Sequence, residues 1–204
     1  MTIAIIGSGN VGGALAQQWS KAGHTIYIGA NFPLSDKNKA LAEKLGESCF
    51  LSITEAVTKS EVILIATPPT AIFDILPPLG DVSNKVIIDA TNAVSKKPEP
   101  FKTVFHCLQA NTSAALVKCF NTTGFENMLN PIYQGTGIDL FMAGDSEYAK
   151  QIAGQLAIDA GFAHCYDFGK ADKVELLEQF ALSWINLAIM QGMGRGIAFR
   201  LVRR

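Results

Sequence analysis

An excess of charge is missing from this chain: 17 Lys and Arg stand against 18 Asp and Glu in 204 residues, a formal net charge of −1. Nothing here builds the basic field that draws in nucleic acid or an anionic membrane, so neither partner is expected. Histidine is scarce and isolated (His24, His106, His164), and Cys49, Cys107, Cys119 and Cys165 are scattered with no Cys-x-x-Cys pair. A metal centre needs two or more ligands at helical or hairpin spacing, so no metal is expected, and the cysteines read as buried, reduced thiols. Uninterrupted apolar runs stay short of the about 20 residues that cross a bilayer. A strand pattern begins at Thr2, which leaves no place for a charged leader and cleavage site, and a cytoplasmic protein is the expectation. Repeats and low-complexity segments are absent as well.

What is present is apolar. Hydrophobic residues make up 49% of the chain, high for a soluble domain, which hints at an extra buried interface. The strongest pattern is the opening: Thr2-Ile-Ala-Ile-Ile6, then Gly7-Ser8-Gly9-Asn10-Val11-Gly12, then an amphipathic stretch, then Thr25-Ile-Tyr-Ile-Gly29. A strand, a Gly-x-Gly-x-x-Gly turn, a helix and a second strand form the start of a dinucleotide-binding unit. Gly7 permits the tight turn, Gly9 lets the backbone approach a pyrophosphate, and Gly12 lets helix and strand pack closely. The helix beginning near Asn10 aims its free N–H groups and about half a positive charge of dipole at the phosphates. Val11, Leu15, Trp19 and Ala22 share one helix face, and Gly23 is placed to end it.

Further along, a loop covers residues 31–38 and a short helix runs over about 39–45. Ser52-Ile-Thr-Glu55 reads as a capping box opening another helix. The run 62–66 is a buried strand, and a helix follows over about 70–75, ended by Pro77-Pro78. Strands at 85–90, 115–120, 138–142 and 162–166 alternate with helices at about 103–110 and 144–161, and a long helix occupies about 173–191. The alternation predicts an α/β fold: a Rossmann-type, doubly wound, mostly parallel sheet with a small C-terminal helical part. Residues 1–123 read as the dinucleotide-binding core, and 124–204 as a part that completes an acceptor cleft within one compact unit. The last helix is apolar nearly all round, with Asp172, Glu175, Gln179, Ser183 and Asn186 as its one polar stripe. Such a helix packs on several sides: on the core, on a second subunit, or over a flat ligand.

Ligands of an open parallel sheet gather at the carboxyl ends of its strands. There the sequence places Ser8, Ala30-Asn31, Thr67-Pro68, Thr91-Asn92 and Asn121-Thr122-Thr123. Hydroxyls and amides in those places suit ribose, pyrophosphate and a nicotinamide carboxamide without adding charge; each one alone reads better as a residue capping its own loop, and together at consecutive strand ends they favour a site. No Ser-His-Asp order, paired carboxylates or lysine proton donor falls among them, and no catalytic side chain is nominated; Asp89 lies inside a strand. Hydride passing between two planar rings needs alignment and exclusion of water more than a protein acid. The second strand lacks the Asp or Glu that usually binds the NAD ribose about 20 residues past the fingerprint. Carboxylate is absent there until Asp36, and Lys37 and Lys39 follow, which favours NADP.

With these residues in view the chain resembles the coenzyme F420-dependent NADP oxidoreductase family. The likeness lies in Gly7–Gly12, in Tyr27-Ile-Gly29 and its polar loop, and in Asp89-Ala-Thr-Asn92. It continues in Val117-Lys-Cys-Phe-Asn-Thr-Thr123, Ala143-Gly-Asp145, Gly192-Met-Gly194 and the ending Ile197–Arg204. The resemblance implies that Gly7, Ser8, Gly9, Asn10 and Val11 hold the pyrophosphate, and that Ala30 and Asn31 flank the 2′-phosphate. By the same resemblance Thr67 and Pro68 lie on the ribose side, and Asn92 with Asn121 to Thr123 at the nicotinamide end. It further implies hydride transfer between NADPH and a flavin or deazaflavin such as coenzyme F420, usually in a homodimer. Similar domains form the reductase portion of membrane metalloreductases. Two departures stand out: Ala30-Asn31 replace the family's Ser-Arg, whose arginine grips the 2′-phosphate, and Ala93 stands where a proline is common. Other readings are a small imine or hydroxyacid reductase, for which the chain is short, and a dinucleotide-binding redox sensor without turnover.

Overall fold

The computed structural model describes residues 1–32, 35–94 and 96–204, with the Lys37 side chain left out. The first six strands come with their connecting helices: β1 (Thr2–Ile6), α1 (Asn10–Lys21), β2 (Thr25–Gly29), α2 (Lys39–Leu45), β3 (Phe50–Leu51), α3 (Ile53–Thr58), β4 (Val62–Ile65), α4 (Ile72–Leu79), β5 (Val86–Asp89), α5 (Val104–Asn111) and β6 (Ala115–Lys118). Then follow α6 (Phe125–Leu129), a hairpin of β7 (Ile132–Tyr133) and β8 (Thr136–Gly137), β9 (Asp139–Ala143), α7 (Glu147–Asp159), β10 (His164–Gly169) and α8 (Val174–Ile185). Eight strands form one sheet in the order β10-β9-β6-β5-β4-β1-β2-β3. The order reverses at β1, between β2 and β4, so the crevice of the doubly wound sheet opens above the Gly7–Gly12 turn.

Alternation along each strand feeds two cores. Ile3, Ile5, Ile28, Leu64, Ile88 and Val117 point to a layer that holds Leu15 and Trp19 of α1 and Ala153 and Leu156 of α7. Ala4, Ile6, Ile63, Ile65, Ile87 and Leu116 point to the opposite layer, with Ile53, Ile72, Phe105, Val174 and Leu177. Unbroken apolar runs such as Val62–Ile65 are therefore strands buried on both faces.

Local signals operate as read. Ser52 Oγ accepts from Glu55 N–H while the Glu55 carboxylate accepts from Ser52 N–H, completing the capping box of α3. Gly23, with φ of +88°, ends α1, and His24 N–H returns to the Trp19 carbonyl at 3.0 Å.

Two details differ from the sequence reading, and a third completes it. Pro77 and Pro78 lie inside α4 instead of ending it; burial of Ile75 and Leu79 keeps the turn despite two lost N–H donors, and Gly80 with φ of +62° ends the helix. The sheet is mostly parallel, as expected, with one antiparallel pair. β9 runs antiparallel to β6 and meets it only at Lys118↔Ala143, the last residue of each, because α6 and the hairpin bring the chain back from the carboxyl edge without recrossing the sheet. Most of β9 thus extends beyond β6, and the C-terminal tail lies alongside it: Asp139 N–H donates to Phe199 O at 3.4 Å, and Leu201 N–H to Asp139 Oδ2 at 2.7 Å. Finally, α8 continues as a π turn over Asn186–Met190, which turns Ala188 inward and leaves Ile189 and Met190 exposed.

Candidate dinucleotide-binding site

The turn between β1 and α1 gives each fingerprint glycine a separate physical reason. Gly7 has φ of +113°, and a Cβ there would collide with the Ala66 carbonyl of the loop after β4. A Cβ on Gly12 would strike the Gly7 carbonyl, so helix and turn touch backbone to backbone. Around Gly9 the case is opposite: a Cβ would meet nothing within 4 Å. Gly9 is also the N-cap of α1 and offers no side-chain oxygen, and the first turn holds no acidic residue. The leading N–H groups thus keep their positive end toward open space. Ser8 and Val11 are half-buried, Asn10 is exposed, and a groove of about 450 Å³ opens over Ser8, Gly9 and Asn10. Its far wall carries Lys44, whose Nζ donates to Gln17 Oε1 at 3.1 Å. Nothing in the spacing of Lys44 along α2 signals this; only the packing of α2 on α1 brings the cation near the turn.

At the end of β2, Ala30 N–H donates to Leu51 O at 3.1 Å and Asn31 is exposed. Asn31, Phe32, Ser35, Glu47, Ser52 and Glu55 line a pocket of about 890 Å³. Hydrogen bonds from the Ser52 hydroxyl and then its backbone N–H hold the Glu55 carboxyl below the usual carboxylate range. Among the described residues lining this pocket there is no cation. Lys39 pairs with Asp36 at 2.7 Å, and the Lys37 side chain lies outside the described residues.

The ends of β4, β5 and β6 carry the remaining nominated residues, none of which lines either pocket. Thr67 sits beside the glycine turn, its Cγ2 3.0 Å from where a Gly7 Cβ would stand, with Pro68 exposed next to it. Asn92 Nδ2 donates to the Asn121 carbonyl at 2.8 Å, and Asn121 Nδ2 to Asn92 Oδ1 at 3.0 Å, which joins the loops after β5 and β6. Thr122 is buried, and Thr123 Oγ1 accepts from Asn127 Nδ2 at 2.7 Å. Next to it, a Cβ on Gly124 would lie 2.6 Å from Trp184 Cη2, so α8 packs directly on this loop. Three buried polar atoms here have no partner: Thr67 Oγ1, Thr91 Oγ1 and Asn121 Oδ1, one at each of three adjacent strand ends. Orphan groups are rare in folded proteins because each costs desolvation without return. Sequence reasoning noted Asp89 inside its strand but missed Lys118 and Glu178, which meet it behind these loops. The signal was a charged residue closing each of two otherwise apolar strands; their pairing across the sheet was not visible.

Residues 2–93 match the family described as NADP oxidoreductase, coenzyme F420-dependent. The match spans the glycine turn, the β2 end and the loops after β4 and β5. Among solved structures, the chain is similar to a protein from Arthrobacter sp. FB24 assigned as an F420-dependent NADP reductase, with a TM-score of 0.85, 22% identity and coverage of 100% of both chains. A hypothetical protein from Sinorhizobium meliloti matches with a TM-score of 0.72 and 23% identity over 100% of this chain and 96% of that one. A reductive aminase from Aspergillus terreus, in complex with NADPH and ethyl levulinate, matches with a TM-score of 0.64 and 19% identity over 94% of this chain but 62% of that one. At these identities the likeness is one of fold. No protein of curated function matches the sequence.

The residues present suit the dinucleotide of an NADP oxidoreductase. The free N–H groups at Gly9 fit a pyrophosphate, and the orphan hydroxyls and amide oxygen fit sugar hydroxyls and a carboxamide. Among the described residues no group of three or more His, Cys, Asp and Glu is placed to hold a metal ion. No helix among them is long and apolar enough to cross a membrane.

Proposed function

We infer that this chain is a reductase that binds NADPH and exchanges a hydride with a flavin or deazaflavin acceptor. The observation that carries the reading is the trio of unpartnered atoms at the β4, β5 and β6 ends, beside the unfilled space at Gly9. When bound, the dinucleotide supplies the hydride. The chain's own part is to hold and align: Gly7, Ser8, Gly9, Asn10, Val11 and Gly12 at the pyrophosphate, Thr67 and Pro68 at the ribose, and Thr91, Asn92 and Asn121 to Thr123 at the nicotinamide end. Residues 1–123 then form the dinucleotide-binding core, and residues 124–204 close the acceptor side through α8 and the tail. Exposed Leu176, Ile189, Met190 and Met193 on that side support association of two copies. Four free cysteines agree with work in a reducing cytoplasm.

Ala30, Asn31 and Lys37 are the residues assigned to the 2′-phosphate. Because Glu47 and Glu55 line the pocket at Asn31, the preference for NADPH over NADH is expected to be small, within about tenfold. Asn31→Asp adds a further negative charge and should weaken NADPH about five- to tenfold relative to NADH, read by titrating both nucleotides. Equal losses for the two would show that this loop does not face the 2′-phosphate.

The direct test mixes the protein with NADPH and, in turn, FMN, FAD and a deazaflavin, and follows absorbance of the reduced nicotinamide. Turnover with one of the three supports the reading. Tight binding without oxidation by any of them would make the protein a sensor, and turnover only with a cyclic imine would make it an imine reductase. The second outcome fits poorly with a chain that spans 62% of the Aspergillus terreus reductive aminase.

A further inference from the structure

Lys118 ends β6 with its side chain fully buried, yet the dinucleotide reading makes no use of it. Its ammonium donates to Asp89 Oδ2 at 2.9 Å, to Glu178 Oε1 at 2.6 Å and to the Thr91 carbonyl at 2.5 Å. The other carboxylate oxygens face the backbone. Asp89 Oδ1 accepts from Thr91 N–H at 2.9 Å, and Glu178 Oε2 accepts from Ala93 N–H at 3.0 Å. Three side chains from β5, β6 and α8 therefore hold Thr91 at both ends of its backbone and Ala93 at its N–H. Asn92 lies between them, with its side chain joined to Asn121 by two hydrogen bonds.

The partner loop is equally constrained. Phe120, just before Asn121, has φ of +61°, a region that residues with a Cβ avoid. It is kept there by full burial of its ring, edge-on to Trp19 at 5.4 Å and Phe162 at 6.4 Å. Strained backbone of this kind persists where the surroundings over-determine it, commonly at ligand sites.

Stability is a poor explanation for the cluster. Buried ion pairs lose most of their attraction to desolvation, and well-packed apolar residues of similar volume are often as good or better. Its location is informative instead: the triad lies at the carboxyl edge of the sheet, where ligands bind, and through Glu178 it ties the last helix to the loop after β5. The lock leaves over Asn121 Oδ1, a buried acceptor with no donor, and Thr91 Oγ1, also without a partner. A carboxamide NH2 group supplies the missing donor.

We propose that Lys118, Asp89 and Glu178 are positioning residues: they fix the Asn92–Asn121 amide pair against the carboxamide of the nicotinamide ring, so that the seating of α8 sets how firmly that ring is held. This rests on the dinucleotide reading above. The unit acts on the nicotinamide end alone, and the glycine turn holds the phosphates independently.

The test compares NADPH with 2′-phospho-ADP-ribose, which shares every group except the nicotinamide, by calorimetry on the full chain. Wild-type protein should bind NADPH about tenfold or more tighter than the fragment. Glu178→Gln, nearly isosteric, turns an NH2 group toward Lys118 or the Ala93 N–H. It should erase most of that tenfold difference, leave fragment affinity within about twofold, and reduce the emission gain of bound NADPH. If that variant does not fold, the combined Lys118→Met, Asp89→Asn and Glu178→Met change removes the charges together and should give the same loss. A folded variant that keeps the full NADPH advantage overturns the proposal. So does an equal loss of both ligands, which is what a merely structural role would produce. Wild-type protein that binds neither ligand overturns the dinucleotide reading itself and the proposal with it.

Discussion

Gly9→Val is expected to abolish NADPH binding, weakening it at least about a hundredfold, while the thermal midpoint stays within a few degrees of wild type. The separation of the two effects follows from local geometry. Gly9 has φ of −70° and ψ of −167°, extended backbone that any residue adopts, and a Cβ there meets no protein atom within 4 Å. The folded chain therefore has no objection to a side chain, apart from a cost of about 1 kcal/mol or less for a β-branched N-cap. Two methyl groups would instead fill the space in front of the leading α1 N–H groups, where the pyrophosphate has to come close. Calorimetry with NADPH, paired with a thermal melt, checks both halves. Unchanged affinity in a folded variant would falsify the placement of the phosphates. Gly12 makes the contrast, because a Cβ there runs into the Gly7 carbonyl, and even Gly12→Ala should disturb the turn itself.

Trp19→Ala should remove about 3–5 kcal/mol of stability, among the largest losses available to one side chain in this fold. Trp19 is fully buried between α1, α7 and the end of β6. Its indole N–H donates to the Leu156 carbonyl at 2.8 Å, and its ring stands edge-on to Phe120 at 5.4 Å. The substitution leaves a large cavity and less support for the positive φ of Phe120, while the Leu156 carbonyl keeps the Ala160 N–H at 3.0 Å. Urea unfolding should show a much lower midpoint with an unchanged slope. A loss below about 1 kcal/mol would mean that α1 and α7 pack together mainly through other residues.

Several parts of the molecule were legible before any coordinates because they depend on neighbours in sequence. The capping box at Ser52 and Glu55 closes within one turn, Gly23 ends α1 where the apolar face of Leu15 and Trp19 runs out, and the buried strands announce themselves by runs such as Val62–Ile65. The glycine turn belongs in part to the same class, since Gly12 answers a backbone contact with the Gly7 carbonyl inside one strand-turn-helix unit, although Gly7 also meets the Ala66 carbonyl of the loop after β4. Other parts were hidden because their partners lie far along the chain. Pro77 and Pro78 stay helical only because Ile75 and Leu79 are buried against other elements. The reversed direction of β9 depends on how residues 119–138 return to the sheet. Asp89 and Lys118 look unrelated in sequence, and only their register across adjacent parallel strands, joined by Glu178 from α8, makes them one cluster.

The residues alone therefore determined the layered α/β architecture, the glycine turn and the polar character of the strand ends, because hydrophobic period, capping and backbone freedom act over a few residues. Tertiary structure alone decided which polar atoms go without partners, which carboxylates share the β2-end pocket, and how the final helix reaches the loops after β5 and β6. The last of these rests on links between residues 29, 60 and 85 positions apart, which burial and strand register set and no local pattern encodes.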